Sequence, residues 1–460
     1  MFLHRVPTVY KGSKFFSVTV NGEQADVFSN IVADFVSFTF AKEEGPVDIR
    51  VELFGHKSEE LSYTIAPASR NITGETSGNV ISFSLPRPEV VTLEVDGVDQ
   101  PLLFFANDAE TIAEAPDRSD PNVLYYAADE GEDGVHEVGL ITLGSNQTLY
   151  IEPGAVVKGR IRVADASDTH ITGCGVLDAS FVLDPRGGPF DEKYSVWTDN
   201  SSNVSIEEIT VINPPSWIVV LGGSDNIMCR NLKLLGFYVS TDGVDVVGSS
   251  NITIKDTFVR NNDDRIVIKS FMIPCMVAME PERARKWMSD VCNVTAEKNT
   301  FMGYKGGCVF EIGHEIFCDR VDNIVFRDSD IISSHGFSAC FSIQHTGRAA
   351  VSNVLYENIN VDHCFDKMVN IRTMDSLYKY HFEYPEARDF GTVDGVTFRN
   401  IHWRTTQYNM GYTISLIGGV DPDHRVKNVT FDRFYVDDKE AKCIEDINIF
   451  TRDCDNIVFL

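Results

Sequence analysis

A short unit of asparagine followed by an alternating apolar strand returns along most of this chain. It reads Asn203-Val204-Ser205-Ile206, Asn226-Ile227-Met228, Asn251-Ile252-Thr253-Ile254, Asn323-Ile324-Val325-Phe326, Asn428-Val429-Thr430-Phe431 and Asn456-Ile457-Val458-Phe459, among others. The shortest interval is 23 residues, from 203 to 226. A unit of that size cannot bury its apolar face alone, so it must stack on its neighbours as a solenoid. Most gaps hold another short strand and no helix-length amphipathic segment, which argues against βαβ units. The expected fold is therefore all-β: a right-handed parallel β-helix in which Ile, Val and Phe stack inward and Asn side chains serve the turns.

The repeat does not cover the whole chain. Residues 1–105 instead show alternating strands such as Phe15-Phe16-Ser17-Val18-Thr19-Val20 and Val47-Asp48-Ile49-Arg50-Val51-Glu52-Leu53, separated by Gly, Asn, Asp and Pro turns. That is the pattern of a β-sandwich. A connector rich in Asp, Glu, Ala and Pro is expected over 106–134, and the β-helix over 135–460. Three stretches interrupt the repeat, at 181–193, 271–290 and 373–391, and the second is expected to carry a short helix. Loops on one side of a solenoid usually build its cleft.

A formal charge of −28, from 68 acidic and 40 basic residues, argues against nucleic acid or an anionic membrane as partner. No apolar run reaches the length of a membrane span. Met1-Phe2-Leu3-His4-Arg5-Val6-Pro7 carries no signal-peptide-like apolar core, and the ten cysteines show no framework or CxxC spacing. Cytoplasmic location with free thiols is the expectation, and secretion is the alternative.

The chemistry concentrates between Ser240 and Ser270. Asp242 is followed 21 residues later by the pair Asp263-Asp264, about one coil further on. Coils stack at roughly 4.8 Å, which would bring three carboxyls together. They cannot all ionise cheaply, so at least one should hold its proton at neutral pH. One protonated and one ionised carboxyl is what acid/base cleavage of a glycosidic bond requires. Asp245 lies one alternation further along, as a supporting residue or a plain turn residue.

Thr241-Asp242-Gly243-Val244-Asp245, Asn262-Asp263-Asp264 and Ile268-Lys269-Ser270, with Asn213-Pro214-Pro215-Ser216-Trp217 upstream, resemble the polygalacturonase-like glycosidases of family 28 and their clan relatives in family 49. The resemblance covers about residues 100–460. It implies that Asp263 is the general acid, that Asp242 and Asp264 hold and deprotonate a water, that the product is inverted, and that no metal or other cofactor takes part. It also places Trp217 and Lys269 at the carbohydrate.

Two family elements are missing. Where the family has Gly-His-Gly, this chain reads Tyr304-Lys305-Gly306-Gly307-Cys308, so Lys305 or His314 is expected to stand in, with Glu311 nearby. The Arg-Ile-Lys that grips a uronate has no clean counterpart. Gln344, His345 and Arg372 are the expected subsite residues, and the first two suit hydroxyls better than a carboxylate. A neutral or only partly acidic oligo- or polysaccharide is therefore expected ahead of plain galacturonan. A pectic hydrolase is the alternative, and a β-helix lyase using calcium or a non-catalytic glycan-binding solenoid are more remote readings.

Overall fold

The computed structural model describes residues 1–55, 61–180, 193–273, 280–406 and 414–460. Most of the 181–193 interruption and the middle of the 271–290 one lie outside the described residues, as does the side chain of Tyr378.

Two five-stranded sheets occupy the N-terminal part. One runs in the order Phe2–Leu3, Asp34–Phe40, Leu102–Asp108, Val90–Val95, Tyr63–Ala66, and the other Glu23–Ala25, Phe16–Val20, Val47–Leu53, Val80–Leu85, Glu75–Ser77. Alternation in Val47–Leu53 turns Val47, Ile49, Val51 and Leu53 inward while Asp48 and Arg50 face solvent. These residues bury against Phe16, Val18, Phe38, Phe83 and Phe104 as the core between the sheets.

Among the described residues the remainder is one 28-stranded sheet wound into a parallel β-helix, in which every strand from Val156–Ala164 to Val291–Glu297 pairs with the third strand after it. That pairing means three strands per coil. The sheet begins at Val123–Tyr126, which pairs in parallel with Thr148–Ile151, so part of the expected connector is the first strand of the solenoid.

The repeated asparagines explain themselves in the structure. Asn203, Asn226, Asn251, Asn293 and Asn323 all have φ between 53° and 59°, the left-handed region that Asn tolerates better than other side chains. Each turn amide then bonds one coil back: Asn226 Nδ2 to Asn203 Oδ1 at 2.7 Å, Asn293 to Asn251 and Asn323 to Asn293 at 2.9 Å. Inside, Tyr356, Phe398, Phe431 and Phe459 stack in file with ring centroids 4.7–5.0 Å apart. Among the described residues no helix is long and apolar enough to cross a membrane.

Six successive strands of one face position the cleft: β1 (Val219–Gly222), β2 (Val244–Val247), β3 (Ile266–Ser270), β4 (Phe310–Ile316), β5 (Ala339–Val361) and β6 (Lys367–Thr373). Their register aligns Leu221, Val246, Ile268, Ile312, Ile343 and Ile371 as one inward ladder. The flanking positions Asp245, Glu311, Ser342 and Asn370 therefore point outward. A short helix α1 (Pro281–Lys286), in the interruption where one was expected, carries Trp287 over the outer face of β1 and β2. Gly222 and Gly248 leave the room for that ring and its backbone.

Candidate active site

The turns that lead into these strands stack as the strands do. Carrying the Val244↔Ile266 register two residues back sets Asp242 beside Asp264, and the Gly243 amide donates to the Asp264 carbonyl at 2.8 Å. The same step along the solenoid sets Trp217 before Asp242, and Cys308 and Lys367 after Asp264. Asp264 is thus the stacked partner of Asp242, with Asp263 one position to the side. The carboxylates of Asp242, Asp263 and Asp264 each bring an oxygen within 4.8 Å of the other two.

The Asp263 carboxylate accepts the Ser240 amide at 2.7 Å and the Asp264 amide at 3.0 Å. Asp264 accepts the Cys308 amide at 2.6 Å. Gly307 makes that approach possible: its φ is +74°, and a Cβ there would sit 1.9 Å from the Asp263 carbonyl carbon. The turn is held from inside by Arg265, which is wholly buried and donates from Nη1 to the carbonyls of Gly306, Gly307 and Cys308.

Lys269 rises between two carboxylates, 2.9 Å from Asp242 Oδ2 and 3.0 Å from Asp245 Oδ1, with its ammonium 3.9 Å from the Trp217 ring centroid. Asp245 is fully buried and serves as a support for Lys269, outside the reacting group. Burial opposes the charge on Lys269, but Asp242 and Asp245 outweigh it and hold the ammonium above its usual range. Burial pushes Asp242 up to about 8, Lys269 pulling it back and Asp263 and Asp264 adding to the rise. Asp264 is raised well above the carboxylate range by burial, then by Asp263 and Glu311. Lys269 makes Asp242 the readier of the stacked pair to ionise.

An open cleft of about 520 Å³ covers this group, lined by Trp217, Ser240, Asp242, Asp263, Asp264 and Lys269 at one end. His314, Glu315, Phe337, Gln344, Lys367 and Arg372 continue it along the later coils. His314 reaches the cleft because β4 is irregular. It takes four residues from Ile312 to Ile316 where β3 takes two from Ile268 to Ser270, and such a bulge re-aims side chains. Its Nδ1 lies 3.2 Å from Ser376 Oγ. Gln344 bridges two expected residues, donating to Glu311 Oε2 at 3.3 Å and accepting from Arg372 Nη2 at 2.7 Å. Glu311 is buried beneath the cleft beside Asp264 and Cys308.

Two expected residues are elsewhere. His345 is buried with Nε2 2.8 Å from the Ala349 carbonyl, and burial lowers it to about 4. It shares the inward parity of Ile343, so it faces away from the carbohydrate side. Lys305 is exposed, its ammonium 5.3 Å from the Phe237 ring centroid, and is not among the cleft-lining residues. Cys308 stands next to Asp264 instead, a thiol that burial, Glu311 and Asp264 keep neutral. The loop aromatics Trp287 and Phe382 are buried as packing, and Tyr384 is tied to the Met272 amide. Glu315, Asp366, Lys367 and Asn370 line the cleft although the sequence did not single them out. Their signal was positional, one place per coil in the turn or strand following Asp264.

Three carboxylate oxygens so close would suit a hard cation such as calcium. Lys269 already places a positive charge on Asp242. The arrangement can protonate one oxygen and take a proton from a water at another.

Residues 190–445 match the family described as glycosyl hydrolases family 28. A probable endo-xylogalacturonan hydrolase A from Emericella nidulans is 25% identical over 252 residues, 51% of this chain and 57% of its own. An endo-polygalacturonase from Pectobacterium carotovorum subsp. carotovorum is 23% identical over 320 residues, 60% of this chain and 72% of its own. The chain spans about half the length of the xylogalacturonan hydrolases it matches. A polygalacturonase from Erwinia carotovora superimposes with a TM-score of 0.49 at 17% identity, over 72% of this chain and 89% of that one. With the family match covering more than half of the chain and including all three clustered aspartates, this protein belongs to glycosyl hydrolases family 28.

Proposed function

We propose that the protein hydrolyses glycosidic bonds of a partly acidic, pectic-type glycan by carboxylate acid/base catalysis with inversion. The observation that carries this is the stacked pair Asp242 and Asp264 beside Asp263, with oxygens within 4.8 Å, at the floor of an open cleft. Asp263 gives its proton to the glycosidic oxygen as the bond to the anomeric carbon breaks. A water held by Asp242 and Asp264 attacks that carbon and passes its proton to Asp242. Lys269 favours that carboxyl ionised, and, at about 8, it gives up its own proton in the mildly alkaline range. The oxygen spacing is tighter than the roughly 6.5–9.5 Å between carboxyl groups of most inverting enzymes. Nearest oxygens understate the separation of carboxyl centres, and here two carboxyls grip one water from the same side.

The substrate class follows from the charges in the cleft. Lys367 and Arg372 can meet a uronate, but Lys367 is 2.7 Å from Asp366 and Arg372 is tied to Gln344. Arg348, a further candidate for an anion site, is paired with Asp319 at 2.7 Å. A glycan carrying uronates at every position would find few uncommitted cations here, and one mixing uronate with neutral sugars fits better. The names of the relatives, xylogalacturonan hydrolase and endo-polygalacturonase, support a pectic backbone. A polymer of that kind fits the secreted alternative better than the cytoplasmic one.

The test is to incubate the enzyme with oligogalacturonides, xylogalacturonan and neutral α-glucan oligosaccharides, and to follow the first product by proton NMR before mutarotation. Inverted product from xylogalacturonan, faster than from plain oligogalacturonide, is expected. Retained configuration would make one aspartate a nucleophile, and an unsaturated product with chelator sensitivity would make the protein a lyase.

A further inference from the structure

The cleft is lopsided. Along the turns it runs Trp217, Asp242, Asp264, Cys308, Ser338, Lys367, five steps that span roughly 24 Å. Among the described residues only Trp217 precedes the aspartates in the lining, and its ring is backed by Tyr194, stacked at 5.5 Å. Three coils follow them. On those coils the turns carry aromatic rings that no catalytic step uses. Tyr304 is 54% exposed and Phe337 73% exposed. His335 stacks between Tyr304, 6.2 Å away at 23°, and Phe365, 4.9 Å away, and Phe337 stands to the side of that file, meeting Phe365 edge-on at 6.1 Å. Arg260 lies beneath Tyr304 at 5.7 Å. Large exposed apolar side chains gathered on adjacent coils mark a binding surface more often than an accident of the exterior.

We propose that Tyr304 and Phe337 are stacking subsites for sugar rings one and two coils past Asp264, so that the preferred substrate is a glycan extended along the solenoid with unsubstituted C–H faces on that side. The inference rests on the glycan hydrolase reading and adds the direction and length of the bound chain. Three observations select a glycan as occupant. Phe337 lines the catalytic cleft itself, whereas Tyr304 stands outside that lining, three residues before Gly307, which belongs to it. Tyr304 and Phe337 stand on successive coils, which stack at roughly 4.8 Å along the solenoid in the direction leading away from the aspartates. Gln344, Asn370 and Arg372, which line the same cleft as Phe337, are hydroxyl and carboxylate partners.

The experiment compares wild type with Tyr304→Ala, Phe337→Ala and the double variant on oligogalacturonides of two to six residues and on xylogalacturonan. An aromatic contact supports about a three- to tenfold effect per ring. The double variant should lose at least about tenfold more kcat/KM on the hexamer than on the dimer, through KM, with Tyr304→Phe restoring the Tyr304 share. A loss equal at every length, or none at any length, overturns the subsites. Affinity electrophoresis in xylogalacturonan and polygalacturonate gels, with Asp263→Asn as the inactive background, reads binding apart from turnover. If Asp263→Asn keeps full turnover the acid/base reading fails, whereas unaltered gel retardation on removing both rings fails the subsites alone. A wild type that sediments as a dimer and becomes monomeric in the double variant would assign the rings to self-association and overturn the proposal.

Discussion

Replacing Asp242 by asparagine should make the protein more resistant to unfolding at alkaline pH while abolishing turnover. In the fold, burial holds this carboxyl at about 8, against about 3.9 for an unstrained aspartate. Between those values the folded protein keeps a proton that the unfolded chain has released. The unfolded state binds fewer protons, so stability falls as pH rises through this window, by up to about 1.4 kcal/mol per pH unit. Below pH 4 both states hold the proton, and above pH 8 neither does, so the dependence levels off at both ends. An asparagine at this position has no proton to lose, and it leaves Lys269 with Asp245 as a closed pair of opposite charges at 3.0 Å. Asp245 and Asp264 contribute the same sign of slope in both proteins, and losing the Asp242 charge lowers Asp245 as well. The difference therefore reports residue 242 together with its effect on Asp245, both acting in the same direction. From pH 5 to pH 8 the variant should gain on wild type by up to about 4 kcal/mol. Urea unfolding at pH 5, 6.5 and 8, followed by circular dichroism, gives the two slopes. Parallel pH dependences, or a variant that loses ground toward pH 8, would refute the assignment of a proton to this carboxyl.

Two further substitutions separate chemistry from support. Asp263→Asn should lower kcat by at least the roughly 10²–10⁴-fold that general acid catalysis supplies, with no fall in the thermal midpoint, and activity within tenfold of wild type would remove Asp263 from that role. Arg265→Met should release the Gly306-Gly307-Cys308 carbonyls, lowering both thermal midpoint and kcat, and should move the pH profile because a cation beside Asp264 is gone. Partial recovery of kcat in Arg265→Lys is expected, and an unmoved pH profile would leave Arg265 a purely structural brace.

The fold was readable because the turn asparagines repeat a backbone need, positive φ once per coil, that few residues satisfy. The aspartate cluster was readable for the same reason: Asp242 and Asp264 are one coil apart where the coil is 22 residues long. Beyond β3 the interval to the next strand position grows to 44 residues, from Ile266 to Phe310, and then returns to about 30. Inserted loops thus hide which residues follow Asp264 along the cleft, and Cys308, Phe337 and Lys367 went unnoticed. His345 was a different error. Its parity with Ile343 was present in the sequence, and period-two alternation alone turns it inward. His314 shows the opposite limit, since the bulge in β4 that brings it to the cleft leaves no mark in the text. The missing Gly-His-Gly histidine was sought at Lys305 or His314, and the register places the Cys308 thiol beside Asp264.

The surplus of carboxylates at the site also explains why it is buried where it is. Asp242, Asp245, Asp263, Asp264 and Glu311 converge on two cations, Lys269 and Arg265, within a few coils. In water five carboxylates beside two cations would simply ionise. In the fold, burial is the first cause of the rise at Asp242, Asp245 and Asp264. The raised carboxyls Asp242, Asp245 and Asp264 outnumber the buried cations Lys269 and Arg265, which favours a proton on at least one of them. A site that favours a protonated carboxyl is the setting that acid-assisted cleavage of a glycosidic bond requires. A second lysine or a tightly bound divalent ion in the same space would balance the charge without protons and would leave the site without an acid. The shortage of cations is therefore a condition of the chemistry, and the bracing of Asp264 by Cys308 and of Lys269 by Asp245 keeps that shortage in one fixed geometry.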